Sequence, residues 1–321
     1  MTNAASVGFI FPGQGSQRVG MLSEAGAQLP AVEQTFVEAA DALGYDLWAL
    51  IQEGDSDALN MTEITQPALL ASSVALWRSW RAAGGAIPSF FAGHSLGEFS
   101  ALVCSGAIAF ADGLRLVRAR GKAMQEAVPA GEGAMAAVIG LDDAKVDALC
   151  KATADDLQAV VAAVNYNSPG QIVIAGDTAA VTEAGQRCKD AGAKRAMALP
   201  VSAPFHTTLM RPAADTLSIE LEQISVSAPD IPVIHNVHAQ TETSPATIRA
   251  LLVKQTYSPV RWTQCIKAMS EKGVSVFVEC GPGKVLTGLL RRIDKAAESF
   301  AIEAPDELAA AVSIVGQEHY A

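Results

Sequence analysis

Short apolar runs alternate with stretches of helical period along this chain. Val7–Phe11 has the pattern of a buried strand and runs into the small-residue turn Gly13-Gln14-Gly15. Helical spacing follows over Ala31–Ala42, over Ala68–Ala83 and over Ala111–Ala127, with Pro67 expected in the first turn of the second. The apolar run Ser89-Phe90-Phe91 enters a tight glycine-flanked segment, and an amphipathic stretch continues from Leu96 to about Ser105. Beyond Val128 the texture changes. A strand at Ala134–Ile139, a helix at Asp143–Lys151 and a strand at Ala159–Val164 are followed by a turn at Asn167–Gly170. A strand at Gln171–Ala175, a helix at Ala179–Gly192 and the stretch Ala196–Pro200 complete the series. That β-α-β-β-α-β order predicts a ferredoxin-like insert. Val233–Val237 and Val274–Val278 return the chain to the larger sheet. The expectation is an α/β protein with a large domain, residues 1–127 and 200–321, and a small one, residues 128–199. No internal repeat or low-complexity linker interrupts it.

The glycine-flanked segment is Gly93-His94-Ser95-Leu96-Gly97. A serine between two glycines, where a buried strand hands over to a helix, is the sequence form of a nucleophile elbow. The turn strains the serine backbone and projects its hydroxyl from the sheet edge, so the large domain is expected to be α/β-hydrolase-like. The alternative for so short a motif is an ordinary turn. Serine is inert until a base takes its proton, and the chain has five histidines. His94 adjoins the serine and should leave the turn in another direction, and His319 lies near the C-terminus. His206, after the proline-punctuated loop Pro200–Phe205, is favoured as the base, with the pair His235/His238 as the alternative.

Six motifs then occur in a telling order: Phe11-Pro12-Gly13-Gln14-Gly15-Ser16-Gln17, Gly93-His94-Ser95-Leu96-Gly97-Glu98, Leu116–Gly121, Asn165–Gln171, Pro204-Phe205-His206 and Gly281-Pro282-Gly283-Lys284. With these the chain resembles malonyl-CoA:acyl carrier protein transacylases of type II fatty acid synthesis over nearly its whole length. The resemblance implies that Ser95 is acylated and that His206 is its base. It implies an oxyanion hole from the N–H groups of Leu96 and Gln14, and a histidine oriented by the backbone carbonyl of Gln255. No third catalytic acid is then needed, and Asp215 or Glu279 would be the runner-up. Arg120 matches the family arginine that binds the malonyl carboxylate, as a guanidinium does with two parallel hydrogen bonds. Arg118, two residues earlier, should face outward. Phe205 and Leu96 resemble the choices of malonyl-selective enzymes. The family also has a small domain, which would put Asn165 and Asn167 in the cleft between domains. Malonyl-CoA and acyl carrier protein are the implied partners, with ping-pong exchange between thioesters and no cofactor.

Length and composition narrow the alternatives. The chain has 321 residues, half of them apolar, enough for a sizeable core. No run reaches the length of a membrane span, and Met1–Gly8 lacks the pattern of a signal peptide. Five widely spaced cysteines without a C-x-x-C pair read as reduced thiols of a cytoplasmic protein. A net charge of −11 argues against nucleic acid and anionic membranes. It also disfavours an acidic carrier protein, unless Lys189, Lys194, Arg195, Lys284, Arg291 and Arg292 form a local basic patch. Gly13-x-Gly15 has Arg18 where a dinucleotide loop needs its third glycine, and His235-x-x-His238 lacks further ligands, so neither nucleotide nor metal is expected. A soluble monomer is expected. Two other functions compete: a serine hydrolase, which would need Ser95 and His206 but not Arg120, and a non-catalytic carrier-binding module, which would need none of them; a related carboxyacyl transferase serving polyketide synthesis is a nearer alternative.

Overall fold

Nine strands form two separate sheets in the computed structural model, which describes residues 6–201 and 203–318. The N-terminal residues through Ala5 and His319, weighed above, lie outside that range. The first sheet contains β1 (Ser6–Phe11), β2 (Phe90–Gly93), β7 (Val233–Ile234), β8 (Val274–Glu279) and β9 (Glu298–Ala301). Its order is β7-β2-β1-β8-β9, and all its pairings are parallel. The second contains β3 (Gly133–Ile139), β4 (Val161–Ser168), β5 (Gln171–Asp177) and β6 (Arg195–Ala198). Its order is β4-β5-β3-β6, wholly antiparallel. The protein is therefore mixed α/β, with one parallel and one antiparallel sheet.

Parallel strands are covered on both faces, and the side chains of β1 show how. Val7, Phe9 and Phe11 enter the larger core, while Ile10 enters a second core on the opposite face. β2 divides the same way, with Phe91 on one side and Ala92 on the other. Phe9 and Phe91 meet Trp77 edge-on, at centroid distances of 5.4 and 5.2 Å, which seats the long helix Thr62–Ala82 on the sheet. The antiparallel sheet has cores of its own, built around Val138, Ile172 and Ile174 on one face and Met135 and Val173 on the other.

Two local expectations are corrected, and one strand is new. Pro67 is not a first-turn residue, because its helix begins at Thr62. The turn before it is held by Thr65 Oγ1, which donates to Leu59 O at 2.6 Å, and by Gln66, a buried acceptor for Arg120. The expected turn at Asn167–Gly170 is shorter, since β4 continues to Ser168. Asn165 and Asn167 therefore lie on a strand, whose register shifts on either side of Asn165-Tyr166. β9 carried no signal in the sequence reading. It is a short edge strand with Phe300 and Ala301 only partly buried, so no clean alternation marks it.

Candidate active site

Ser95 sits at the C-terminal end of β2, between that strand and the helix Leu96–Cys104. Its backbone is in an unusual region, φ 50° and ψ −104°. A non-glycine residue held there stores strain of roughly 1–3 kcal/mol, which the surroundings must offset. The flanking glycines let the strand and helix close up. A Cβ on Gly93 would lie 1.9 Å from the Gly97 carbonyl, and one on Gly97 would lie 2.0 Å from Phe11 O. Asn236, just past β7, holds the turn from both sides. Its Oδ1 accepts from Ser95 N at 2.8 Å, and its Nδ2 donates to Gly93 O at 2.7 Å.

Ser95 Oγ lies 2.8 Å from His206 Nε2. On the far side of the ring, His206 Nδ1 donates to the backbone carbonyl of Gln255 at 2.9 Å. A carbonyl only accepts, so this contact fixes the proton on Nδ1 and leaves the Nε2 lone pair facing the hydroxyl. Burial, with the Arg120 charge adding to it, pushes the His206 pKa down to about 3, against the Gln255 hydrogen bond that opposes the shift. The ring is neutral at physiological pH and able to take a proton. His206 itself has φ 65°, a second strained residue facing the first.

Arg120 comes from the helix Phe110–Glu126 and is 1% exposed. Its guanidinium donates to Gln66 Oε1 and Gln255 Oε1, both at 2.9 Å, and to Ser95 Oγ at 3.3 Å. It also stacks over the Phe99 ring at 5.0 Å. Burial lowers its pKa to about 10, with the carboxylate of Glu98 opposing the shift, so it remains charged at neutral pH. These hydrogen-bond acceptors are all neutral oxygens, and its Nε is buried without a partner among the described residues. A buried cation so placed can gain strongly from an incoming anion.

A cleft of about 110 Å³ opens on these groups. Gln14, Leu96, Phe205 and Asn165 line it, as does Arg120. Larger grooves exist elsewhere, including one of about 580 Å³ beside Trp48, but no nucleophile and base converge there. Asn167 does not line the cleft; its Oδ1 lies 2.8 Å from His94 Nε2. Gln255 is wholly buried and reaches the cleft through His206, Arg120 and the Ser95 carbonyl. His94 borders the cleft, while its ring turns to Asn167 and lies edge-on to Trp262 at 5.6 Å. Arg118 points outward over the Tyr45 ring.

The competing candidates are occupied elsewhere. His235 Nδ1 donates to Glu98 Oε1 at 2.7 Å, which removes that ring from the role of base. His238 lies 3.3 Å from Glu242, and the described residues hold no cluster of three metal-ligating side chains. Asp215 is exposed, whereas Glu279 accepts from the amides of Leu286 and Thr287 and caps the helix Val285–Ile293. Sequence reasoning missed Gln66, Glu98 and Asn236. Glu98 did carry a signal, as an acid in the first turn after the serine on an otherwise apolar helix face. For Gln66 and Asn236 nothing local marked the role.

The family described as acyl transferase domain matches residues 8–312. The malonyl CoA-acyl carrier protein transacylase of Salmonella typhimurium is 56% identical over 305 residues, 95% of this chain and 98% of the relative. Among solved structures, the transacylase of Coxiella burnetii superposes with a TM-score of 0.96 at 47% identity, covering 97% of this chain and 98% of that one. A malonyl-transacylase solved in complex with its type II PKS acyl-carrier protein gives 0.95 at 52% identity, over 97% of this chain and 100% of that one.

Proposed function

This chain belongs to the acyl transferase domain family, and we propose that it carries a malonyl group from malonyl-CoA to the thiol of acyl carrier protein through an ester on Ser95. The observation that carries this reading is the convergence of a base and a buried cation on one strained hydroxyl. A hydrolase needs only the hydroxyl and the base; a carboxylated acyl group also needs the cation.

The geometry supports the following sequence of steps. Ser95 Oγ attacks the thioester carbonyl while His206 Nε2 takes its proton, and the imidazolium is steadied by the Nδ1 bond to Gln255 O. The oxyanion is met by the N–H groups of Leu96 and Gln14. Leu96 is the first residue of its helix, where amides lack an intrahelical acceptor, and Gln14 lies between two glycines. The C–S bond breaks, the histidine proton passes to the leaving thiolate, and coenzyme A departs as the thiol. Arg120 meets the malonyl carboxylate. The cleft of about 110 Å³ suits the acyl group alone, leaving the long pantetheine arm outside. In the second half, His206 deprotonates the carrier thiol, sulfur attacks the ester carbonyl, and the proton returns to Ser95 Oγ as the C–O bond breaks. The product feeds fatty acid biosynthesis.

The finer architecture belongs to the same proposal. The strand–serine–helix turn on a parallel sheet supports an α/β-hydrolase-like large domain of residues 1–127 and 200–321. The order β4-β5-β3-β6 supports a ferredoxin-like small domain of residues 128–199. Five unpaired cysteines favour a reducing, cytoplasmic setting, and no helix of the described residues is long and apolar enough to cross a membrane. We place the enzyme there as a monomer.

Intact-protein mass spectrometry after mixing with malonyl-CoA or acetyl-CoA tests the function. A malonyl adduct that is absent from Ser95→Ala, with little acetylation, is expected. Equal labelling by both thioesters would remove the role of Arg120, and no adduct would remove the covalent mechanism.

A further inference from the structure

The nucleophile and the guanidinium come from different elements, and one buried carboxylate is tied to both. Glu98 is fully buried, in the first turn of the elbow helix. Oε1 accepts from His235 Nδ1 at 2.7 Å; Oε2 accepts from Asn236 N at 2.9 Å and from Gln255 Nε2 at 2.8 Å. Two branches leave this hub. Asn236 clamps the elbow through Ser95 N and Gly93 O. The Gln255 side chain donates to Ser95 O at 3.1 Å and accepts from Arg120 at 2.9 Å.

Burying a carboxylate is costly, and three donors are needed to offset it. Apolar packing would stabilise a helix N-terminus more simply, so the arrangement calls for a reason beyond stability. We propose that Glu98 is a positioning residue that sets the spacing between the Ser95 hydroxyl and the Arg120 guanidinium, and through it the preference for a carboxylated acyl group. This role rests on the transacylase chemistry above. It follows from hydrogen-bond polarity. Asn236 N and Gln255 Nε2 both donate to one oxygen, Oε2, so an apolar side chain of similar length at position 98 would leave both without that acceptor. The flexible Gln255 side chain must then yield, and Arg120 loses the acceptor that aims it. An acetyl donor needs only Ser95 and His206, whereas a malonyl donor also needs Arg120 in place.

Single-turnover acylation by malonyl-CoA and by acetyl-CoA, with thermal unfolding measured alongside, separates the branches. Glu98→Met is expected to slow malonyl transfer about 100-fold and acetyl transfer about tenfold, as misplacement of a binding group does. The malonyl-to-acetyl ratio then falls about tenfold. Asn236→Ala, which touches only the elbow, is expected to slow both donors by the same factor. If Glu98→Met slows both equally, or neither, the positioning role is overturned. If it does not fold, Gln255→Met decides: it cuts the same link while leaving the backbone carbonyl on His206, and an unchanged ratio there overturns the role. A wild-type protein that forms no malonyl-serine would overturn the transacylase function itself, before any variant is compared.

Discussion

At the scale of single residues, the site works because burial acts oppositely on two groups that share one hydroxyl. His206 is pushed down to about 3 and stays neutral, while Arg120, lowered only to about 10, stays charged. The dependence of kcat/KM on pH reports the free enzyme. Acylation should therefore hold level from pH 7 down to about 5, without the fall near 6.5 that an ordinary histidine base gives. Stability follows the opposite course. Below 6.5 the unfolded chain binds a proton that buried His206 refuses, so this contribution is complete above 6.5 and is lost progressively toward pH 3. Urea titrations of wild type and His206→Gln across that range check it: the two stability curves should converge as the pH falls. Arg120→Ala removes two charge-assisted bonds to the carboxylate and should cut malonyl acylation about 100-fold or more. Acetyl acylation should change far less, which parallel labelling with the two thioesters measures.

At the scale of elements, what matters is how closely β1, β2 and the elbow helix approach. A Cβ at position 97 meets backbone, Phe11 O, and not the movable end of a side chain. Gly97→Ala should therefore destabilise the fold by about 3 kcal/mol or more and displace Ser95, both visible in a urea melt and in loss of acylation. The strand–turn–helix unit was legible in sequence because each part leaves a local mark: an apolar run, two glycines, an amphipathic stretch. The β-α-β-β-α-β series was legible for the same reason, and its strands and helices stand close to where periodicity put them. The true start of the Pro67 helix was not, because a proline is a strong local stop signal and the turn before it is held by Thr65 bonding back to Leu59 and by Gln66 accepting from the distant Arg120. Nor was the length of β4. The run Asn165–Gly170 has the composition of a turn, and its pairing with β5 overrides that preference.

At the scale of the whole molecule, the cleft lies between the two sheets, and its wall includes Leu199 and Val201, directly after edge strand β6. Lys194 and Arg195 are exposed at the start of that strand. Of the other basic residues proposed as a patch, Lys284 is paired with Glu307, while Lys189, Arg291 and Arg292 are exposed and Arg292 donates to the neutral Gln171. With a net charge of −11 over the whole chain, an acidic carrier protein needs a local attraction to approach. Reversing both charges, Lys194→Glu with Arg195→Glu, should raise the KM for carrier protein several-fold. The rate of Ser95 acylation by malonyl-CoA should stay unchanged, and added salt should reproduce the effect in the wild type. Steady-state transfer assays with the two half-reactions measured separately give the answer.

The sequence alone determined the candidate nucleophile, the strand and helix around it, the mixed α/β plan and, through six motifs in order, the resemblance that singled out His206 and Arg120. Each of these depends on neighbours a few residues apart, or on side chains whose chemistry is rare in the chain. Only the tertiary structure decided what surrounds them. Gln66, Asn236 and Gln255 are 29 to 160 residues from Ser95, yet they bond to its backbone or to the guanidinium beside it. Glu98 lies three residues from Ser95, but its partners come from residues 137 to 157 positions away. An amide or a carboxylate of that kind has no periodicity to announce it. Its role exists only once folding has removed water and left each buried donor with a single acceptor to find.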